Sequence, residues 1–429
     1  PPMCRKHGRR RILPQGGCNE LPAAASVLVR VLGNTQRALQ DLFVESGVQV
    51  VRALAEQDQE RLCGPKGRHQ PERQATRWGR KDLELTLGGR KIVQRVGRVR
   101  SMGPDSRELP LPSLEGYRDE DPLSRRVLEQ ILCGVSTRRY ARSLEQLPEG
   151  VEERATSKSA VSRRLVSLTT ARMEAFLARP LHDQDLLVLM LDGVKVRGTG
   201  FIVALDIDVQ GHKRILGLRQ GATENARVCT DLLADLKERG LQLERPLLVV
   251  LDGSKALRKA VGDLLGPLAV VQRCQLHKRR NVCEYLPPLL QARVEQQMVA
   301  AYQCGDAERA RSLLERLARS LQRDHPDAAA SLREGLEETL TVLRLGLPPL
   351  LRQLLSTTNA IESVFSHYAH LIHNVKRWRD GQMLRRWTAT MLEEAEGRFH
   401  RLKGYKQLPL LAAALQNFSR SLDQADQAA

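Results

Sequence analysis

Two runs of apolar residues in this chain end in the same tripeptide, Leu-Asp-Gly. Residues 186–191 lead into Asp192 and residues 247–251 lead into Asp252. A short, fully apolar run bounded by turn residues predicts a buried strand. Open α/β sheets bind ligands outside the carboxyl ends of their strands, so two such aspartates indicate one shared site. An aspartate before glycine is also common in ordinary turns, and that alternative stays open for each tripeptide alone.

The order of elements around the two tripeptides restricts the fold further. Strands are predicted over residues 186–191, 200–209 and 213–218, followed by a helix over 224–239 and a strand over 247–251. Three strands in meander, a helix, and a strand that rejoins the first is the opening of a ribonuclease-H-like fold. In that fold the two aspartates would be neighbours at adjacent strand ends.

The charge of the chain indicates a polyanionic partner. Lys and Arg total 68 against 50 Asp and Glu, which gives a formal net charge of +18. Nucleic acid is the default partner for such an excess, and a merely basic protein is the alternative. Aromatic residues are only 3% of the chain, so phosphate contacts rather than base stacking should supply most of the affinity. The same scarcity argues against a glycosidase with two carboxylates.

The remaining sequence predicts a multidomain, mostly α-helical protein around this α/β core. The predicted parts are a disordered basic arm (1–24), a helical region (25–75), a small β element (76–117), a helix-turn-helix-like DNA-binding domain (118–180), the first part of the ribonuclease-H-like core (181–289), a helical insertion (290–355), the C-terminal helices of the core (356–410) and a tail (411–429) that is polar and frayed after about Gln416. Eight cysteines without a secretory signal or an apolar membrane span predict free thiols, a reducing cytosol and no membrane partner.

Two segments of the N-terminal half are candidates for DNA contact. Gly88-Gly89 predicts the turn of a β-hairpin, and its exposed face would be basic through Arg90, Arg95, Arg98 and Arg100.

After a predicted helix over 137–147, Ser157 or Ser159 can cap the next helix. The first turns of that helix carry Ser159, Arg163 and Arg164 and resemble a helix-turn-helix recognition helix. A plain helical bundle is the alternative.

Phosphoryl transfer would require a third carboxylate beside the two aspartates. Two Mg²⁺ ions can activate the nucleophile and stabilise the leaving oxygen, and they prefer carboxylate oxygens. Glu362 is the candidate, because Ser356-Thr357-Thr358-Asn359 caps a helix that places it one turn inside. The alternative is a first-turn glutamate that only complements the helix dipole. Asp206 and Asp208 are predicted to form the turn before Gln210 instead.

Cys274 and His277 have half of the spacing of a zinc site. No second clean pair completes it, so His277 is a candidate for contact with the scissile phosphate or a structural histidine.

Further along, His367, His370 and His373 step by three and lead into Lys376, Arg377 and Arg379. This stretch is either a phosphate-binding edge or a solvated helix face. Trp378 and Trp387 are more typical of core anchors than of base-stacking residues.

Taken in order, these motifs resemble the Mutator-like transposases of bacterial insertion sequences. The resemblance covers residues 25–410 and rests on both Leu-Asp-Gly tripeptides and on a few longer stretches. Those stretches are Gln272-Arg273-Cys274-Gln275-Leu276-His277-Lys278-Arg279-Arg280-Asn281-Val282, Thr357-Thr358-Asn359-Ala360-Ile361-Glu362, Trp378-Arg379-Asp380-Gly381 and Lys403-Gly404-Tyr405. One departure is that many members carry an aromatic residue in the helix near Cys229, and this chain does not.

The resemblance implies a DDE transposase with a triad of Asp192, Asp252 and Glu362 that holds two Mg²⁺ or Mn²⁺ ions. It also implies the family's Cys-x-x-His element at Cys274 and His277. The expected DNA-binding or site-supporting residues are these two with Arg280, Asn281, Asn359, Ser159, Arg163, Arg164, Lys376, Arg377 and Trp378.

The partners implied are double-stranded DNA (terminal inverted repeats and target DNA) and a homodimer or higher oligomer on it. The location implied is the bacterial cytoplasm, at the nucleoid. A domesticated DNA-binding protein without catalysis and a resolvase-like nuclease of the same fold are the alternatives.

Overall fold

A computed structural model describes residues 46–68, 70–119, 122–145, 147, 151–223, 225–375, 378 and 380–427. The predicted basic arm, residues 1–24, lies outside them. The chain divides into two compact units, residues 1–165 and 166–429. The cysteines in the described part are free thiols, as predicted. Every helix in that part is too short or too polar to cross a lipid bilayer.

The first unit packs short helices on a small antiparallel sheet. Its elements are helix α1 (46–63), strands β1 (Ala75–Leu87), β2 (Arg90–Ser101) and β3 (Glu108–Leu109), helices α2 (Pro112–Asp119) and α3 (Pro122–Leu132), and strand β4 (Glu153–Arg154). Helix α4 (Lys158–Leu177) contains the boundary between the units. Strand β2 pairs antiparallel with β1, β3 and β4.

The predicted hairpin is confirmed, and it is longer than the alternation suggested. Leu83, Leu85 and Ile92 are buried on one face, which is the alternation expected of a half-buried sheet. Gly88 and Gly89 have φ values of 59° and 82°, as a tight hairpin turn requires.

The predicted basic face of the hairpin is wrong at Arg90. Arg90 is buried, and its guanidinium donates to the Glu153 carboxylate at 2.9 Å and to a backbone carbonyl. Strand β4 therefore covers it. Arg95 is exposed, Arg98 pairs with Glu108, and Arg100 lies 5.0 Å from the ring of the exposed Trp78.

The predicted helix over residues 137–147 is also wrong. The described part of this segment has turns and a single 3₁₀ turn, Ala141–Ser143. Tyr140 is fully buried, and its hydroxyl donates to the Gly89 carbonyl at 2.7 Å. This contact with the hairpin turn outweighs local helix propensity. Ser157 is the cap of α4, because its hydroxyl accepts from the Ala160 amide at 3.3 Å, whereas Ser159 lies inside the helix.

The second unit is built on a five-stranded mixed sheet. Its strands are β5 (Leu186–Val196), β6 (Thr199–Asp208), β7 (Lys213–Gln220), β8 (Leu247–Leu251) and β9 (Ala269–Arg273), in the order β7-β6-β5-β8-β9. The first three form an antiparallel meander, and β8 joins β5 in parallel, as predicted. Strand β9 was not predicted; the apolar run before Gln272, residues 268–271, is only four residues long and directly follows Gly266-Pro267.

Helices cover both faces of this sheet. They are α5 (Ala226–Glu238), α6 (Lys255–Leu265), α7 (Gln275–Glu284), α8 (Pro288–Gln303), α9 (Ala307–Leu321), α10 (Pro326–Arg333), α11 (Leu336–Thr339), α12 (Thr341–Arg344), α13 (Pro349–Leu355), α14 (Asn359–Asn374), α15 (Gly381–Glu396) and α16 (Leu408–Gln427). Alternate residues of β5 enter two cores, since Leu189 packs with α5 and α6 and Met190 packs with α14, α15 and α16.

Helices α8 to α13 occupy the segment for which a helical insertion is predicted, and α8, α9 and α10 share a hydrophobic cluster of their own. The predicted tail, residues 411–429, begins inside a helix in the structure. Residues 408–427 form α16, and Leu411 and Leu415 are buried in the main core.

The prediction for the two acidic residues at the end of β6 is right for Asp208 and wrong for Asp206. Asp208 accepts hydrogen bonds from the Gln210 and His212 amides, both at 2.8 Å, and so forms the turn. Asp206 lies within β6, opposite Leu189, and is fully buried. Its carboxylate oxygens have no hydrogen-bond partner in the described structure. Burial, together with the nearby Asp208 charge, raises the pKa of Asp206 well above its ordinary value.

Replacing Asp206 with asparagine should therefore raise stability increasingly as pH rises. The folded protein keeps a proton on Asp206 that the unfolded chain releases near pH 4, so wild-type stability falls as pH rises from there toward the folded pKa. Asp206→Asn avoids this loss of unfolding free energy, which is at most about 1.4 kcal/mol per pH unit. Urea denaturation at pH 5 and pH 7 measures the free energy of unfolding of wild type and of Asp206→Asn. Asp208→Asn is the control, because it replaces a neighbouring aspartate that forms the turn. Parallel pH profiles for wild type and Asp206→Asn would contradict this assignment.

Candidate active site

The two Leu-Asp-Gly tripeptides meet at one edge of the second unit's sheet. Leu191 of β5 and Leu251 of β8 are paired residues in the parallel ladder. Asp192 and Asp252 each follow one member of this pair, so the prediction that the aspartates are neighbours is confirmed. The predicted end of the first strand at residue 191 is wrong, because β5 continues to Val196 in its pairing with β6, and Asp192 therefore lies within β5 where β8 stops. Asp192 is 1% exposed, whereas Asp252 is half-buried at the end of its strand.

Backbone amides hold both aspartates. The Gly193 amide donates to Asp192 Oδ1 at 2.9 Å, and the Ser254 amide donates to Asp252 Oδ1 at 2.9 Å. Gly253 has a φ of 97°, and a Cβ atom there would lie 2.0 Å from Arg273 Nε. The glycine after the second aspartate is thus required by backbone conformation and by space.

Helices α7 and α14 begin at the same edge and are tied to it. The Cys274 amide donates to the Leu251 carbonyl at 2.7 Å, which fixes α7 to the end of β8. The Gln275 amide donates to the Ser356 carbonyl at 2.9 Å. Thr358 is fully buried, and its hydroxyl donates to Cys274 Sγ at 3.6 Å. These contacts place the first turn of α14 beside the end of β8.

Glu362 is brought to the aspartates by that first turn. Potential ligand atoms of Asp192, His277 and Glu362 all lie within 4.8 Å of one another. Glu362 Oε1 is 3.6 Å from His277 Nε2 and 2.9 Å from Arg280 Nη1. In the described residues Asp252 is outside this three-residue group, although it is close enough to influence Asp192 electrostatically.

Burial and crowded charges perturb the titration of this group. Burial raises the pKa of Asp192 to about 7, the Asp252 and Glu362 carboxylates act in the same direction, and His277 opposes them. The neighbouring Cys274 side chain and the two carboxylates Asp192 and Glu362 raise the pKa of His277. Burial alone would raise the pKa of the Cys274 thiol, but His277 outweighs it and lowers that pKa. At neutral pH an imidazolium is therefore favoured beside the carboxylates.

The donor set at this edge fits a divalent cation. Asp192 Oδ2 is buried and has no hydrogen-bond partner in the described structure, which a bound cation would supply. The carboxylates of Asp192, Asp252 and Glu362 offer the hard oxygen ligands that Mg²⁺ and Mn²⁺ take. The described three-residue group contains no cysteine, so the geometry gives no support to a zinc site at Cys274.

Three basic side chains of β9 and α7 bind the helical insertion. Arg273 and Lys278 donate to the Glu334 carbonyl at the end of α10 at 2.9 Å and 2.6 Å. Arg279 pairs with Glu295 of α8 at 3.0 Å. Arg280 differs, because its pair with Glu362 faces the candidate site.

The remaining predicted DNA-contact residues are spread over both units. Ser159 and Arg163 are exposed on α4, Arg164 is half-buried there, Asn281 is half-buried on α7, and Asn359 is exposed at the start of α14. Trp378 packs against Trp387 with ring centroids 6.4 Å apart, so both are packing residues. Lys376, Arg377 and Arg379 lie outside the described residues, as do the side chains of His367, His370 and His373 in α14.

Sequence reasoning missed the buried polar residues that support the site. Gln272 donates to the Thr339 carbonyl at 3.0 Å and accepts from the Val342 amide at 2.9 Å, which joins β9 to the insertion. Gln275 also donates to the Thr339 carbonyl. The sequence signal that could have identified them is that Gln272, Gln275 and Thr358 lie within the stretches that carry the family resemblance.

Comparisons with known proteins agree on one class. The family model described as "Transposase, Mutator family" matches residues 25–401. The transposase for insertion sequence element ISRM5 of Rhizobium meliloti (strain 1021) is 31% identical over 319 residues, which is 72% of this chain and 75% of that protein. The transposase for insertion sequence element IS6120 of Mycolicibacterium smegmatis is 29% identical over 242 residues, 55% of this chain and 72% of that protein.

Proposed function

The chain belongs to the Mutator family of transposases, and from this premise we propose that it cleaves and joins DNA strands at Asp192, Asp252 and Glu362. The observation that carries the proposal is the meeting of these residues at one sheet edge. The paired positions Leu191 and Leu251 put the aspartates side by side. The helix that carries Glu362 brings it within 4.8 Å of Asp192 at their ligand atoms.

The proposed core is ribonuclease-H-like. Support for it comes from the strand order β7-β6-β5-β8-β9, with an antiparallel meander followed by two parallel strands. Helices α8 to α13 then form the insertion between the second aspartate and the glutamate. Asp252 follows the carboxyl end of β8 and Asp192 lies beside it within β5, and the carboxyl ends of parallel strands are where such a sheet accommodates a ligand.

We propose that this edge of the sheet binds two Mg²⁺ or Mn²⁺ ions. When bound, the metal ions would activate a water or a 3′-hydroxyl and stabilise the leaving oxygen. Asp192, Asp252 and Glu362 would hold them. The Gly193 and Ser254 amides fix the two aspartates, and the contacts of Thr358 with Cys274 fix the start of α14. His277 is a positioning residue, because its ring lies beside both Asp192 and Glu362.

The partner we propose is double-stranded DNA, first the terminal inverted repeats and then the target. In the first unit and on α4, Ser159, Arg163 and the exposed Arg95 are available to phosphates and base edges. The helix-turn-helix interpretation of α4 belongs to this proposal. Two element ends must be brought together, so we propose at least a homodimer on DNA, acting at the bacterial nucleoid.

The direct test is cleavage of labelled DNA that carries the element's inverted repeat. With Mg²⁺ or Mn²⁺ we expect nicks that leave a 3′-hydroxyl at the element end, followed by joined products. EDTA and a scrambled end should abolish both. Binding that persists in EDTA, without nicking when metal is added, would instead favour a DNA-binding regulator. Cutting of branched junctions without joining would favour a resolvase-like nuclease.

A further inference from the structure

Arg280 is the cation of α7 that lies against a candidate catalytic carboxylate. Its Nη1 atom is 2.9 Å from Glu362 Oε1, the shortest ion pair that Glu362 makes in the described structure. Arg273, Lys278 and Arg279, its neighbours in the same motif, bind the insertion instead. The basic residues of this motif therefore fall into two groups: three bind the helical insertion, and Arg280 pairs with the candidate catalytic carboxylate.

The ion pair between Arg280 and Glu362 can be broken so that each side chain binds a different partner. The Arg280 side chain is 53% exposed and the Glu362 side chain is 32% exposed. An ion pair this accessible to water contributes little net free energy, typically below about 1 kcal/mol. Glu362 can therefore leave Arg280 for a stronger partner at small cost. The guanidinium, in turn, can bind a phosphate through two parallel hydrogen bonds.

We propose that Arg280 changes partners during assembly of the active complex. In the DNA-free protein it neutralises Glu362, and when metal and DNA bind it releases Glu362 and takes a phosphate of the DNA strand. This inference rests on the proposed function. Two features drive the exchange: a divalent cation at Glu362 repels the adjacent guanidinium, and the DNA backbone offers Arg280 a new anion.

A thermodynamic consequence distinguishes this exchange from simple support of Glu362. If Arg280 competes with the metal for Glu362, then metal binds less tightly without DNA than with it. Because coupling between two ligands is reciprocal, metal should strengthen DNA binding by the same factor. Removing Arg280 should remove this competition and so weaken the coupling.

The test measures Mn²⁺ binding by the full chain, with and without an inverted-repeat duplex whose scissile phosphate is replaced by an uncleavable linkage. The variant Arg280→Gln keeps a polar side chain but lacks the charge. Arg279→Gln is the matched control, because it removes the neighbouring arginine, which pairs with Glu295. Circular dichroism and thermal unfolding verify that both variants are folded.

Without DNA, we expect Arg280→Gln to bind Mn²⁺ about three- to fivefold more tightly than wild type, the scale of one exposed ion pair. Arg279→Gln should match wild type. With the duplex present, the Mn²⁺ affinity of wild type and Arg279→Gln should rise by several-fold, whereas that of Arg280→Gln should change less. An Arg280→Gln affinity equal to or weaker than wild type without DNA would overturn the exchange.

Glu362→Gln separates this inference from the proposed function. If Glu362→Gln binds Mn²⁺ as tightly as wild type, Glu362 is not a metal ligand and the proposed triad fails along with the exchange. If Glu362→Gln binds Mn²⁺ more weakly but Arg280→Gln behaves as wild type, the triad stands and the exchange alone is wrong.

Discussion

Replacing Asp192 with asparagine is expected to abolish strand cleavage and strand joining while leaving the protein folded and more stable. The amide keeps the shape of the side chain and can still accept from the Gly193 amide. It removes the negative charge that we propose holds the metal. We expect a loss of about a thousandfold or more in cleavage of inverted-repeat DNA, a size typical of removing a key electrostatic group from an active site. Cleavage that survives the substitution would disprove the triad.

The gain in stability follows from the buried position of Asp192. Its pKa is raised from 3.8 to about 7, so the folded protein keeps a proton that the unfolded chain has released. Wild-type stability in the absence of metal therefore falls as pH rises from about 4 to about 7. Asparagine avoids this loss, which at neutral pH amounts to up to about 4 kcal/mol.

Thermal unfolding in EDTA at pH 5 and pH 7.5 measures this gain, which should be larger at the higher pH. Asp206→Asn is the matched control, because it also replaces a buried aspartate of the same sheet but should retain cleavage. A variant of Asp192 that is less stable than wild type at pH 7.5 would contradict the electrostatic account.

Replacing Gly253 with alanine is expected to cost about 3 kcal/mol or more of stability and most of the cleavage activity. The backbone at Gly253 has a φ of 97°, and the added Cβ would meet Arg273 Nε at 2.0 Å. Alanine therefore adds backbone strain and overpacking to one position, and these effects typically cost about 1–3 kcal/mol each. Arg273 must move away from Glu334, or Asp252 must move away from its neighbour Asp192.

Gly198 supplies the control for this prediction. It also has a positive φ, 81°, but a Cβ there has no heavy atom within 4 Å in the described structure. Gly198→Ala should therefore show the backbone strain alone, about 1 kcal/mol, with cleavage retained. Urea denaturation and cleavage assays on both variants separate the two costs. Equal losses in the two variants would mean that the contact with Arg273 is unimportant.

The parallel segments of β5 and β8 could be predicted from the sequence because their signals are local. The apolar runs before Leu-Asp-Gly mark the parts of β5 and β8 that pair in parallel, although β5 continues beyond Asp192 to Val196, and the helix between them closes at Gly240. The parallel pairing of Leu191 with Leu251 then follows from the usual connection rules of an α/β sheet. The positions of Asp192 and Asp252 were therefore accessible before any coordinates.

What could not be predicted depends on contacts between distant residues. Arg90 has the pattern of an exposed strand residue, but a strand some sixty positions later covers it. Tyr140 follows a helical period, but its hydroxyl binds the hairpin turn. At the candidate site, the motif identified Arg280 and Glu362 separately. Their pairing, and the bond of Thr358 to Cys274, required the helical insertion to fold back on the sheet.

The position of α14 after the helical insertion has a consequence for the order in which a growing chain acquires the parts of the site. The ribosome completes the first unit, and the strands that carry Asp192 and Asp252, well before it adds Glu362. The residues proposed for DNA contact in the first unit and on α4 are therefore made before the proposed triad is complete. A chain cut short ahead of α14 would lack Glu362 and also the side chains of α14, α15 and α16 that pack with Met190, so it would lose the proposed third ligand and one core of the second unit together.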